Sequence, residues 1–439
     1  MKKLIVSVLC LFAFAQIHAQ SFNISKMDSL FTLIDKNDKG MGSISLFQNG
    51  EEVYQKAFGF ADFENNTLAD SKTKYRIGSV TKTFTAVIIM QMIEENKTTL
   101  AALLLNFFPQ ILNSDKITIE HLLRHRSGIH NFTDDSAYVT YMTEPKTETE
   151  LLEIFSALPG DFTPGEKFSY SNTGYVLLSL IAEKIDKKPF LDILIDRIVR
   201  PLRLENTFYG KKIVPINNEA LSYNKLENWQ RSVETDLSIP LGAGAIVSTP
   251  TDLNIFYNAL FSGKLVSQTS LEKMITLVDG YGMGLFQIPF YERKAFGHTG
   301  GIDAFQTASA YFPDENFAIS FISNGVVMPR NDIMIGALSI FFGRDYTLPD
   351  FKPPLLLSSK DLDKYLGTYS TPTFPLKITI SKKENVLMGQ ATGQPAFPLD
   401  PYEVDKFKFD AAGIKLEFIP AENKMILRQA GMQFDLTRE

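Results

Sequence analysis

Apolar positions along this chain follow two periods, and the change from one to the other divides it. Met27, Leu30, Phe31 and Ile34 recur at helical spacing and predict an amphipathic helix over residues 25–35. Residues 42–47 and 52–60 read as strands joined at Asn49-Gly50, a dipeptide suited to a tight hairpin turn. From Val80 to Ile93 apolar residues cover nearly the whole helical circumference, so residues 79–95 predict a helix buried on most sides. Residues 100–108 form an apolar run closed by Pro109, read as a short buried segment, and residues 119–128 predict a helix ending at Gly128. Residues 134–204 are mostly helical in pattern, broken by a loop at 159–167. A further helix starts at Thr249 as cap, with Pro250 in the first position and Asp252 closing the capping box. Strands are predicted at 294–297, 306–312 and 317–323, then a helix over 332–342 before Gly343.

The texture changes after residues 349–354, where three prolines make a stiff linker. Short strands follow at 376–380, 386–391, 406–409, 414–419, 425–429 and 433–436, separated by turn residues such as Glu384-Asn385 and Gly413. This order predicts an α+β fold: an antiparallel sheet flanked by helices with a helical subdomain over residues 22–345, a linker at 346–359, and a small all-β barrel or sandwich at 360–439. The all-β part carries no motif and is expected to contribute no catalytic group.

Composition narrows the setting. With 439 residues, 44% of them hydrophobic, the chain can bury a large core in two domains. Net charge is −6 and the basic residues are scattered, which excludes a nucleic-acid surface. Met1-Lys2-Lys3 and the apolar run to Ala15, followed by Ile17-His18-Ala19, predict a signal peptide over residues 1–19 and export to the periplasm or medium. No later stretch is long and apolar enough to span a membrane. The single cysteine, Cys10, falls inside that signal, and Ser-Val-Leu before it lacks the small residues of a lipidation site. The mature chain is therefore expected to have neither a disulfide nor a thiol nucleophile. Oligomeric state is left open.

Candidate chemistry centres on the buried helix. Four Ser-x-x-Lys pairs occur, at 71/74, 79/82, 222/225 and 270/273, and a capping serine followed by a surface lysine accounts for most such pairs. Only Ser79/Lys82 opens a strongly apolar helix. Three residues apart, the hydroxyl and the amine share a face, at a helix end whose free N–H groups favour developing negative charge. That is the arrangement of an acyl-transfer nucleophile with an adjacent base. Two further motifs each occur once: Tyr170-Ser171-Asn172, and His298-Thr299-Gly300-Gly301 at the end of a predicted strand. His121 and His125 have the spacing of a zinc pair, but Leu122 stands where a metalloprotease carries glutamate, so they read as structural, holding the turn at 126–128. No metal or other cofactor is called for, and no Gly-x-Ser-x-Gly elbow of an α/β-hydrolase is found.

In the order Ser-x-x-Lys, Tyr-x-Asn, His-Thr-Gly, the chain resembles the serine β-lactamase and D-alanyl-D-alanine carboxypeptidase superfamily, in its class C β-lactamase-related branch. Family-like stretches at 122–129, 162–168 and 247–253 extend the likeness over residues 22–342, and the segment from Leu362 resembles the β-barrel appendage of many members. The resemblance implies Ser79 as nucleophile, Lys82 as its base or proton shuttle, Tyr170 in the relay to the leaving group, and Asn172 on Lys82 and the substrate amide. It implies an oxyanion hole from the N–H groups of Ser79 and Gly301, with Thr299 and Gly300 on the substrate and His298 completing the relay near Tyr170. The implied activity is an exported hydrolase of small D-amino-acid peptides, amides or esters. A class C-type β-lactamase and a penicillin-binding protein without turnover are the alternatives. Class C β-lactamases carry lysine in place of His298, a stronger attractor of a β-lactam carboxylate; Ala304 replaces a second glycine of many relatives. A neutral His298 in the relay would give an acid limb near the ordinary histidine pKa of about 6.5.

Overall fold

The computed structural model describes residues 22–439 apart from 352–354, 356, 410–411 and 430–431, so the signal-peptide reading, Cys10 and part of the linker lie outside the described residues. The chain divides into two compact units, at Pro349 and Asp350, and every candidate site residue falls in the first.

The first unit is an α+β structure built on a six-stranded antiparallel sheet. Its order is Phe286–Phe290, Arg293–Ile302, Phe305–Phe312, Phe317–Val326, Gly40–Gln48 and Glu51–Phe58, so the last long strand pairs with the first. Phe317–Val326 and Gly40–Gln48 are buried almost throughout, because helices cover both faces of the sheet. On one face the helix Ile24–Lys36 packs Phe31 on Phe58, which in turn stacks on Phe321, with ring centroids 5.3 and 6.4 Å apart. On the other face Asn254 of the helix Pro250–Phe261 is fully buried. Its amide donates to the Ser45 carbonyl at 2.8 Å and accepts from Ser320 Oγ at 2.7 Å, which satisfies the polar group without solvent. Helix Thr81–Glu94 is buried at every position from Thr81 to Met90, as its nearly continuous apolar circumference requires.

Differences from the sequence reading have local causes. The edge strand Phe286–Phe290 was not expected, since Pro289 weakens a strand pattern; at an edge the missing N–H faces no partner. Residues 119–128 contain a helix only at Ile119–Leu123, after which His125 adopts φ 55° and turns the chain. Residues 100–108 make a loop with one 3₁₀ turn that buries Leu104 and Phe108 and leaves Leu105 outside. Thr249 caps its helix by accepting from the Asp252 N–H, but the Asp252 carboxylate does not close the box; it accepts from the Asn206 N–H and the Thr207 hydroxyl.

The second unit is a closed eight-stranded barrel, with two strands, Gly367–Thr371 and Phe397–Glu403, beyond the six predicted. Two prolines hide the latter in the sequence. Its interior is filled by Tyr365, Tyr369, Phe407, Phe418 and Met425 among others.

One buried ionic cluster holds the first unit beside the candidate site motifs. Arg76, 2% exposed, donates to Asp303 and Glu234 at 2.9 and 2.8 Å and to the carbonyls of Thr235 and Lys211. Burial raises the Asp303 carboxyl above its ordinary value even against the pull of Arg76. Removing the cation strands both carboxylates, so Arg76→Ala is expected to cost about 3–5 kcal/mol in urea unfolding. A loss under about 1 kcal/mol would mean that water replaces the guanidinium freely.

Candidate active site

The chain leaves the short strand Tyr75–Arg76, passes through Gly78 at φ 51°, and makes the 3₁₀ turn Gly78–Val80 before helix Thr81–Glu94 begins. The α-helix thus starts two residues later than predicted, and the turn presents Ser79. Opposite it runs the end of the strand Arg293–Ile302. A Cβ on Gly78 would lie 2.8 Å from the Gly301 nitrogen, and one on Gly300 only 2.0 Å from the Ile77 carbonyl oxygen. Only glycine permits this main-chain approach, which brings the backbone of Ser79 and that of Gly301 to the same spot.

Lys82 is fully buried, one helical turn along. Its Nζ lies 3.0 Å from Ser79 Oγ, 2.7 Å from Asn172 Oδ1 and 2.8 Å from the Ala243 carbonyl oxygen. Desolvation holds its pKa well below that of an ordinary lysine. In the neutral amine two N–H bonds serve Asn172 and Ala243, and the lone pair is left for the Ser79 hydroxyl. Asn172, first residue of helix Asn172–Asp186, is itself fixed: its N–H donates to Asn131 Oδ1 at 2.9 Å and its Nδ2 to Thr133 Oγ1 at 3.0 Å.

Tyr170 stands over the amine, with Lys82 Nζ 4.9 Å from its ring centre. Burial raises the phenol pKa, opposed by the Ser79 side chain, so the hydroxyl keeps its proton at neutral pH. Beneath Tyr170 lies His125, 1% exposed, with ring centroids 4.3 Å apart; its Nδ1 accepts from the Ser171 N–H at 3.1 Å. His125 thus fixes the Tyr-x-Asn segment rather than merely the turn at 126–128. His121 Nδ1 accepts from the Thr118 N–H within a helix cap, and no group of three or more metal-ligating side chains occurs among the described residues.

His298 departs most from expectation. Its Nδ1 donates to the Thr299 carbonyl and its Nε2 accepts from the Tyr281 hydroxyl at 3.0 Å, so both ring nitrogens are taken and the direct link to Tyr170 is not formed. The two rings stand 6.3 Å apart. Burial, with Lys82 nearby, lowers its pKa to about 3, which favours the neutral ring near pH 7.

The groups that sequence reasoning missed act through space. The Ala243 carbonyl carries no signature in its side chain. Tyr281 follows Asp279-Gly280 in a loop, with φ 52° and 84° at those two residues. Arg330 left a signal: a cation on the first residue of helix Arg330–Phe341 opposes the helix dipole and calls for another reason to be there. Its guanidinium donates to the carbonyls of Gly300 and Thr307, both at 3.1 Å.

Two cavities meet at Ser79. The larger, about 1040 Å³, is bounded by Asn172, Thr133 and the hairpin of strands Tyr223–Lys225 and Trp229–Arg231. The other, about 660 Å³, is bounded by Tyr170, Phe168, Tyr281, His298, Thr299 and Arg330. The arrangement can activate a hydroxyl beside a bound carbonyl, with room for a substituent on either side.

Comparison with known proteins agrees with this geometry. Penicillin-binding protein 4* of Bacillus subtilis is 23% identical over 444 residues, spanning 94% of this chain and 98% of its own. The D-amino acid amidase of Ochrobactrum anthropi is 25% identical, with a TM-score of 0.64 over 73% of this chain and 99% of its own. The octameric penicillin-binding protein homologue of Pyrococcus abyssi shares the fold over 94% of this chain and all of its own, with a TM-score of 0.68 and 23% identity. A family model described as Beta-lactamase matches residues 33–338, and the chain therefore belongs to the β-lactamase family of serine hydrolases, whose fold penicillin-binding proteins share.

Proposed function

We propose that this hydrolase runs a two-step acyl-enzyme reaction on small D-amino-acid peptides, amides or esters, and that it acts outside the cytoplasm. The observation that carries the reading is the buried Lys82 amine 3.0 Å from Ser79 Oγ, its other two contacts being acceptors. Lys82 takes the Ser79 proton as Oγ attacks the carbonyl. The N–H groups of Ser79 and Gly301 stabilise the oxyanion. Tyr170, a protonated phenol, passes its proton to the leaving group and regains one from the Lys82 ammonium, while Oγ stays on the enzyme as the ester oxygen. Water then repeats the sequence on the ester. Similarity to a D-amino acid amidase and to a penicillin-binding protein supports this substrate class. The residues Met1 to Ala19 support export.

The leaving group, protonated from Tyr170, occupies the cavity that Tyr170 lines, and Arg330 is the cation there. Arg330 takes the place in carboxylate capture that His298 cannot fill while neutral. This favours a peptide with a free C-terminal carboxylate over an ester as the better substrate.

Treatment with a fluorophosphonate or a penicillin should give one adduct by intact mass, lost in Ser79→Ala; an adduct that survives the substitution would remove the assignment.

The acid limb of kcat/KM should follow Lys82 alone. Its folded pKa is depressed, so the amine is charged and inactive below that value, and activity rises with pH as the proton leaves, at a pH well below 10.5. In His298→Gln the limb should keep its midpoint, because His298, with a pKa near 3, is already neutral there. A midpoint that moves by a unit or more in the variant would return His298 to the relay.

For Arg330→Gln, KM for a peptide ending in D-Ala-D-Ala should rise about fivefold or more, on the scale of one partly exposed charge pair, while an uncharged amide is processed as before. Equal losses on both substrates would mean that Arg330 only braces the Gly300 and Thr307 carbonyls.

A further inference from the structure

The larger cavity speaks to the half of the substrate that stays on the enzyme. This step rests on the reaction above: if Tyr170 protonates the leaving group from one cavity, the acyl group extends from Ser79 into the other. Its wall is the hairpin Tyr223–Lys225 with Trp229–Arg231 and the segment that follows it, facing the strand end at Ile302–Asp303.

Three charged side chains border this space, Lys225, Arg231 and Asp303, and each already has a partner. Lys225 is paired with Asp38, which also accepts from Trp229 Nε1. Arg231 faces Glu234 at 3.7 Å, and Glu234 is in turn held by Arg76. Both oxygens of Asp303 are in use: Oδ1 accepts from the Thr235 N–H and Oδ2 from Arg76, each at 2.9 Å. Each oxygen of the carboxylate on the wall therefore already has a strong donor, and an ammonium group arriving there would lose hydration while competing with a buried guanidinium.

What the wall does offer is apolar surface. Leu226 is 71% exposed, Val233 59% and Val327 45%, and all three border the cavity, with Ile302 and Met142 deeper in. Large apolar side chains held open around a cleft of about 1040 Å³ match an apolar group larger than the methyl of alanine. We infer that the acyl half of the substrate is neutral and bulky, an N-acylated D-residue or a comparable apolar acyl group, and that a D-amino acid with a free α-ammonium is a poor acyl donor. The specificity would thus differ from that suggested by the name of the amidase relative.

The test uses the full chain. Ser79 labelling by a fluorophosphonate first establishes that the nucleophile is competent. D-phenylalanine p-nitroanilide and its N-acetyl and N-octanoyl derivatives are then compared by kcat/KM, all three sharing one leaving group. The acylated compounds should be favoured by at least about fivefold, the scale of one uncompensated charge in a partly exposed site. Val233→Asp, at an exposed position where folding is not at stake, supplies a carboxylate with no partner and should shift the ratio toward the free amine by a similar factor. Equal or better turnover of the free amine overturns the inference, as does failure of all three compounds on an enzyme that labels at Ser79. An unchanged ratio in both Val233→Asp and Leu226→Asp overturns it too, since the hairpin would then not face the acyl group. Loss of labelling itself would instead strike the hydrolase reading, and this inference with it.

Discussion

The site depends on one main-chain contact, the approach of Gly300 and Gly301 to the turn Ile77–Ser79. A side chain on Gly300 would drive its Cβ to 2.0 Å from the Ile77 carbonyl oxygen, and one on Gly78 would meet the Gly301 backbone at 2.8 Å. Neither collision can be relieved by a rotamer change, because the atoms met are backbone. The contact joins the first turn of the central helix to the free end of a sheet strand, so two units of secondary structure position a pair of N–H groups that neither could position alone. The flanking charge cluster serves the same geometry: Arg76 precedes the turn by one residue, Asp303 follows the strand by one, and the ion pair between them closes the assembly from outside.

A lysine at the base of this turn must be both buried and uncharged for the proposed reaction, and burial alone brings both about. The helix that carries it is buried from Thr81 to Met90, so the Lys82 amine is screened from solvent and meets the cavities only past Ser79. Desolvation lowers its pKa, and the two acceptors on Asn172 and Ala243 orient it without supplying a full negative charge, which would restore the ammonium. Neutrality then spreads outward. His125 and His298 are both buried beside Lys82 with depressed pKa values, and the phenols of Tyr170, Tyr175 and Tyr281 are raised, so the centre contains proton carriers but no fixed charge. Arg330 stands at its edge.

This division explains what the sequence could convey. Ser79 and Lys82 are legible because the 3₁₀ turn that carries Ser79 runs straight into the apolar helix that carries Lys82, and Tyr170 and Asn172 because they flank a helix start; adjacency in space follows from adjacency in the chain. Most of the antiparallel sheet, the barrel and the helical cover was readable from periodicity; it failed where Pro289, or Pro398 and Pro401, interrupted a strand that the sheet edge and the barrel tolerate, at the short polar strand Gly367–Thr371, and at the helix that ends at Leu123. The Ala243 carbonyl was not legible, since any residue could supply it. Nor were the partners of His298, which depend on a loop arriving from 17 residues upstream with Tyr281 at its end. The motif drew His298 toward Tyr170; the fold turned its ring to Tyr281 and to its own strand.

The same logic separates chemistry from choice of substrate. The residues to which the proposed reaction gives the proton transfers are buried and held by several partners each, so the centre has little freedom to vary without loss of geometry. The hairpin wall of the larger cavity is different in kind. Its hairpin of two three-residue strands is anchored at one end by Trp229 and Lys225 on Asp38, and it leaves Leu226 and Val233 in the open, where substitution disturbs no core. The smaller cavity has an intermediate character: Arg330 is tied to two carbonyls of the sheet yet presents a cation to the cavity. In the proposed reaction, a fixed centre between one adaptable wall and one semi-rigid wall would let the acyl group and the leaving group be selected independently. Within such a fold the identity of the nucleophile and its base cannot by itself name the substrate; the side chains of the hairpin and the first residue of helix Arg330–Phe341 carry that information.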